Sequence, residues 1–115
     1  MNIQVNFDFT SEDDVDKLHP NIRAYLTKFI KNRIDEYYLL EEEVEKNDFE
    51  GVRQVCHKVV GAAPSYRLFK MDEIIKVMQT IARTNENMGE IKALLPIYKE
   101  YLFAIETKYS NEEVK

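Results

Sequence analysis

From Asn21 onward, apolar residues recur at spacings of three, four and seven: Ile22, Leu26, Phe29, Ile30, Tyr37, Leu40 and Val44. Lys28, Lys31, Arg33, Asp35 and Glu41 to Glu43 fall largely on the opposite face, which is the pattern of an amphipathic helix. Pro20 suits a first helical turn, where its missing N–H loses no intrahelical partner. With no interior Gly or Pro, the helix is predicted to run from near Pro20 to about Lys46, roughly 40 Å at 1.5 Å per residue. Asn47–Asp48 interrupts the pattern, and Asp48 is a good N-cap for a second helix starting at Phe49 with the stripe Val52, Val55, Cys56, Val59 and Val60. Pro64 lacks the N–H a continuing helix needs and biases Ala63 away from helical dihedrals, so a break is predicted at residues 62–65. A third helix is predicted from about Ser65, with Leu68, Met71, Ile74, Ile75, Met78 and Ile81 as its stripe, ending in the polar run Thr84 to Asn87. Gly89 marks a turn before a fourth helix from Glu90 to about Tyr109, in which Pro96 predicts a kink or a later start.

The first nine residues have a different period. Ile3, Val5, Phe7 and Phe9 alternate with Asn2, Gln4, Asn6 and Asp8, as in a short extended segment. Such an arm can pack along the helices or present an edge to a partner or a second copy of the chain. Ser11 to Asp14 is an acidic lead-in that suits the start of a helical turn. Four amphipathic segments with short connections predict an all-α fold, an antiparallel up-down four-helix bundle with a short extended or helical lead-in. The expected organisation is an arm at 1–19, a bundle at 20–109 and a polar tail at 110–115.

Composition narrows the classes. With 3 Gly and 3 Pro in 115 residues, the chain lacks the turn signals of a sandwich or barrel. Its 44% hydrophobic content suffices for one core. The apolar runs are far short of the roughly 20 residues that span a bilayer, and MNIQVNFDF lacks the basic start of a secretory signal, so a cytoplasmic location with no membrane partner is expected. One cysteine, Cys56, excludes an internal disulfide and fits a reducing compartment. A net charge of −5 argues against a nucleic-acid partner.

Candidate chemistry is concentrated at His57. On its predicted helix, Arg53, Gln54, Val60 and Gly61 share its face, while the core stripe leaves the imidazole towards solvent. A glycine inside a helix costs about 1 kcal/mol relative to alanine, so Gly61 calls for a reason; a bare backbone beside an exposed histidine admits close approach by a partner, and a helix end before Pro64 is the alternative. His19 precedes Pro20 at a helix start, where a capping or surface role is expected. Glu41 to Glu43 are read as a solvated face, since Mg²⁺ or Ca²⁺ needs ligands converging from several elements. Cys56 is read as a small buried hydrophobe, and Tyr37, Tyr38, Tyr98, Tyr101 and Tyr109 as core and bundle rim.

Taken together, the acidic-basic long helix, the Asn47–Asp48 turn followed by Phe49, and the run HKVVGAAPSY from His57 to Tyr66 resemble histidine-containing phosphotransfer (HPt) domains. The likeness covers about residues 20–107. The family motif is His-x-x-Lys-Gly; Val60 stands here where the lysine is usual, and Lys58, the nearby lysine, lies about 100° round the helix from His57. Glycine is also common in the family at the positions of Pro64 and Arg67.

The resemblance implies a four-helix bundle that accepts a phosphoryl group on His57 from a receiver-domain aspartate and passes it to another receiver. Val60 cannot neutralise phosphoryl oxygens as the family's lysine would; the expected replacement donors are Arg53 and Gln54, one turn before His57 on its face, or Gln79 and Arg83 from the third helix if the register follows the family, and the expected partner-docking surface is Lys58, Val60, Gly61 and Ala62. The chain would be a phosphocarrier and not an enzyme with its own turnover. It would need no cofactor or metal of its own, the receiver supplying Mg²⁺. Partners would be a response-regulator receiver domain or a hybrid histidine kinase, and the chain is expected to be a monomer. Two alternatives stand beside this: a degenerate bundle that binds a receiver or kinase without being phosphorylated, and an adaptor that dimerises through the arm.

Overall fold

The computed structural model describes Phe9, residues 11–84 and residues 87–113, with side chains through Tyr109. The alternating positions Ile3, Val5 and Phe7, and with them the pairing edge expected of the arm, lie outside the described residues. Among those described, the chain is all-helical: α1 (Pro20–Arg23), α2 (Leu26–Glu45), α3 (Phe49–Val60), α4 (Phe69–Thr84) and α5 (Met88–Glu113), with 3-10 turns at Val15–Lys17 and Ala63–Tyr66. Helix α2 packs against α3 and α5, and α4 packs against the same two. The stripes meet in one core that includes Leu26, Ile30 and Leu40 of α2, Val52 and Cys56 of α3, Met71, Ile75 and Met78 of α4, and Ile91, Leu94 and Leu102 of α5. No described helix is long and apolar enough to cross a membrane.

The second helix starts at Phe49 as predicted and ends at Val60, shortly before the break predicted at 62–65, and its cap is formed: Asp48 Oδ1 accepts from the Gly51 N–H at 3.0 Å. His19 caps α1, its Nδ1 accepting from the Asn21 N–H at 3.1 Å. Elsewhere the boundaries differ from expectation. The helix expected over 20–46 is interrupted at Ala24 and Tyr25, and Ile22, placed on its apolar stripe, is exposed because it belongs to the detached turn α1. The third helix starts at Phe69 and not near Ser65. Pro64 seeds a 3-10 turn, and Arg67 then adopts a left-handed conformation with φ 57° that no α-helix continues through. Gly89 is not a turn but part of α5, whose Glu90 N–H is met by Asn87, with its Oδ1 at 3.4 Å. Helix α5 runs on through Pro96 and continues to Glu113, past the expected end at Tyr109. Pro96 is exposed, so solvent can reach the carbonyl one turn earlier that lacks its usual donor.

The acidic lead-in is a clasp across the start of α4. Asp13 Oδ1 accepts from the Lys70 N–H at 2.9 Å, capping α4 from 57 residues away, and its Oδ2 accepts from the Tyr101 hydroxyl of α5 at 2.6 Å. Ser11 Oγ donates to Glu73 at 3.1 Å. Asp14 exchanges backbone and side-chain bonds with Arg67, including Nη2 to Oδ2 at 2.9 Å, which explains how a non-glycine residue is held at positive φ. The Arg67 hydrogen bond holds the Asp14 carboxyl below its usual 3.8 despite some desolvation. Because the folded value is the lower one, this contribution is present at neutral pH and is lost as pH falls through that folded value. Asp13→Ala removes a helix cap and takes from the Tyr101 hydroxyl the carboxylate to which it donates, so urea unfolding should show a loss of about 1–2 kcal/mol; Tyr101→Phe, which leaves the cap in place, should cost less.

Candidate functional site

His57 sits in the last turn of α3, exposed, on the face opposite Val52, Val55, Cys56 and Val59, all of which are buried. Residues three and four apart on a helix share a face. The stripe leading to the imidazole is therefore Glu50, Arg53 and Gln54. Across from it, α4 contributes Gln79 and Arg83, which are four apart and flank the buried stripe through Ile75 and Met78. Together with Lys58 these residues line one open groove of about 510 Å³ between α3 and α4. The four residues expected as phosphoryl neighbours, Arg53, Gln54, Gln79 and Arg83, thus share a groove with His57.

The groove carries three cations, Arg53, Lys58 and Arg83, against one carboxylate, Glu50, in a chain whose net charge is −5. Local charge here runs opposite to that of the molecule. An anion that reaches the groove meets donors of planar fork geometry in the two arginines and a mobile ammonium in Lys58. Glu50 is the one lining residue that spacing alone could have revealed and did not: it lies seven residues before His57, on nearly the same line along the helix.

The expected docking residues divide. Lys58 lines the groove, but Val60, Gly61 and Ala62 do not. Val60 and Ala62 are half-buried and pack against the core. Gly61 is exposed and ends α3 with φ −79°, so it does not use the left-handed freedom of glycine, and a Cβ placed there would meet nothing within 4 Å. No requirement inside the fold accounts for it. What it provides is a bare stretch of backbone one turn from His57.

A second depression, between α2 and α3, adjoins the first through Gln54 and Lys58 and is floored by Val55 and Leu39. Leu39 is 44% exposed, a large apolar side chain left uncovered beside the groove. The predicted stripe of α2 had passed over it, since it lies off the buried line through Leu40.

Cys56 adjoins His57 in sequence but faces inward, and burial pushes its thiol up to about 12, which removes it as a nucleophile. Of the acidic run, Glu42 is exposed, whereas Glu41 and Glu43 are half-buried, so only part of it is a solvated face. The Glu41 carboxylate acts on Tyr37, whose hydroxyl is raised well above its usual range, first by burial and then by that bond. Tyr37, Tyr98 and Tyr109 are core, Tyr101 is half-buried and Tyr38 is exposed. Among the described residues, no three His, Cys, Asp or Glu side chains converge on a common point.

No protein-family model, curated protein or solved structure matches the chain. Function has to be argued from His57 and what surrounds it.

Proposed function

We propose that the chain is a phosphorelay intermediate of the histidine-containing phosphotransfer kind, an antiparallel up-down four-helix bundle that carries a phosphoryl group on His57 between receiver domains in the cytoplasm. The observation that carries this reading is the exposed imidazole in a groove with Arg53, Lys58, Gln79 and Arg83, locally cationic on an acidic protein. In the transfer, an unprotonated ring nitrogen attacks the phosphorus of an aspartyl phosphate. The N–P bond forms, the P–O bond to the aspartate breaks, the aspartate leaves as a carboxylate, and the other ring nitrogen keeps its hydrogen at that moment. Transfer of this kind needs in-line positioning and neutralisation of the phosphoryl oxygens more than covalent help from the carrier. The receiver brings Mg²⁺; Arg83 and Gln79 from α4 and Lys58 from α3 provide donors from this side. Leu39 and the bare backbone at Gly61 give the docking face a small apolar and low-relief centre with a charged rim. The test is label transfer from a panel of phosphorylated receiver domains, with His57→Gln as the control.

One feature favours the alternative of a bundle that binds a receiver without accepting the group. Val60 puts an apolar, half-buried side chain where the family has a lysine. Val60→Lys separates the two readings. The lysine stem can lie over the surface that Val60 now covers while its ammonium reaches solvent beside His57. A working carrier should then take up label roughly fivefold faster, the worth of about 1 kcal/mol for one exposed charge-assisted contact. A binding-only bundle should stay unlabelled in both forms.

A further inference from the structure

The groove holds its own anion. Glu50 pairs with the Arg53 guanidinium and accepts from Gln54 Nε2 at 3.4 Å, so the two donors of α3 nearest His57 on its N-terminal side are both turned to one carboxylate. Lys58 and Arg83, which line the same groove, have no hydrogen-bond or ion-pair partner among the described residues. Glu50 lies seven residues before His57, about 10 Å along the helix and close to the same azimuth. Arg53 stands between the carboxylate and the imidazole, one turn from each.

We propose that Glu50 is a built-in counter-ion that sets how readily the groove retains a phosphoryl group: it holds Arg53 and Gln54 while His57 is bare, and must release them when the group arrives. The inference rests on the phosphocarrier reading and adds a control to it. Glu50 acts through Arg53 and is a positioning residue, not a catalytic one. Both partners are substantially exposed, Arg53 at 41% and Glu50 at 58% of the side chain. Their pairing is therefore weak enough to exchange. A dianionic phosphoryl group is the stronger partner for a guanidinium, and a carboxylate two turns back on the same helix face opposes that dianion directly.

The experiment measures the equilibrium of label between a phosphorylated receiver and His57 in the wild type, Glu50→Gln, Arg53→Gln and the double variant, at low and high salt. The exposed positions should leave the helical circular dichroism signal unchanged, which checks the fold of each variant. Glu50→Gln should raise the labelled fraction ratio about fivefold, from the freed guanidinium together with the lost repulsion. Most of that gain should vanish in the Arg53→Gln background, and the remainder should shrink with added salt. A gain of equal size with and without Arg53 would overturn the exchange, because plain repulsion would then account for it. Label on His57 with no response to Glu50→Gln overturns this proposal alone. Absence of label from both the wild type and Glu50→Gln overturns the phosphocarrier reading and this one with it, since no phosphoryl group is then there for Glu50 to oppose.

Discussion

Phosphorylated receiver domains should label the wild-type chain and leave His57→Gln without label, while the two chains keep the same helical signal and melt within a few degrees of each other. The expected effect is complete loss, because the substitution removes the atom to which the phosphoryl group is bonded. The fold should not notice. His57 is exposed, it has no hydrogen-bond partner among the described residues, and it faces away from the buried stripe of α3. Glutamine is at least as good a helix former as histidine, and surface substitutions of this sort usually fall within about 0.5 kcal/mol. The label should be acid-labile and alkali-stable, as expected of an N–P bond. His19 is a poor substitute acceptor: its Nδ1 accepts from the Asn21 N–H at the start of α1, and it does not line the cationic groove that holds His57. Label that persists in His57→Gln would sink the assignment of the acceptor, and measurable receiver binding without label on either chain would favour the binding-only bundle.

How far the sequence carries this reading differs from element to element. Helix α3 was legible because everything that defines it is local: Asp48 caps it, its stripe is regular, and Pro64 follows. The start of α4 was not legible. It depends on Arg67 at positive φ, and what holds Arg67 there is Asp14, 53 residues away, so no window around Ser65 contains the cause. The cap on α4 has the same character, since Asp13 reaches Lys70 only once the chain has folded. The break at Ala24 and Tyr25 has no glycine or proline to announce it. Gly89 suggests a turn by its type alone, but Asn87 two residues earlier provides the cap and Gly89 lies inside α5.

The site divides along similar lines. Arg53 and Gln54 follow from helical spacing around His57, whereas Gln79 and Arg83 came from the family likeness, since nothing in the pattern of α4 alone says which flank meets α3. Val60, Gly61 and Ala62 are expected on the docking face from the likeness and from the helix surface around His57; Val60 and Ala62 are half-buried and pack against the core, which local spacing alone does not reveal. The same spacing argument reaches Glu50, but a carboxylate does not announce itself among the cations Arg53, Lys58 and Arg83.

Ile75→Ala should lower stability by about 3 kcal/mol and the melting temperature by roughly 10 °C. Ile75 is fully buried on α4, the helix that packs against both α3 and α5. Truncating it removes three carbons from a close-packed interior that can collapse only in part around the void, and the lost burial and the cavity both count against the folded state. The site shares this dependence, since Ile75 lies one turn before Gln79, and the α3–α4 contact it supports is what brings Gln79 and Arg83 opposite His57. In the cold, where the variant remains folded, His57 should still take label, because the acceptor and its stripe belong to α3. Its rate should fall by a small factor as the α4 donors lose their fixed place, and the fall should grow as temperature approaches the lowered midpoint. An Ile75→Ala chain with wild-type stability would contradict the packing of α4 in the core. A folded variant with unchanged kinetics at every temperature would mean that Gln79 and Arg83 contribute nothing to transfer, leaving α3 alone to hold the phosphoryl group.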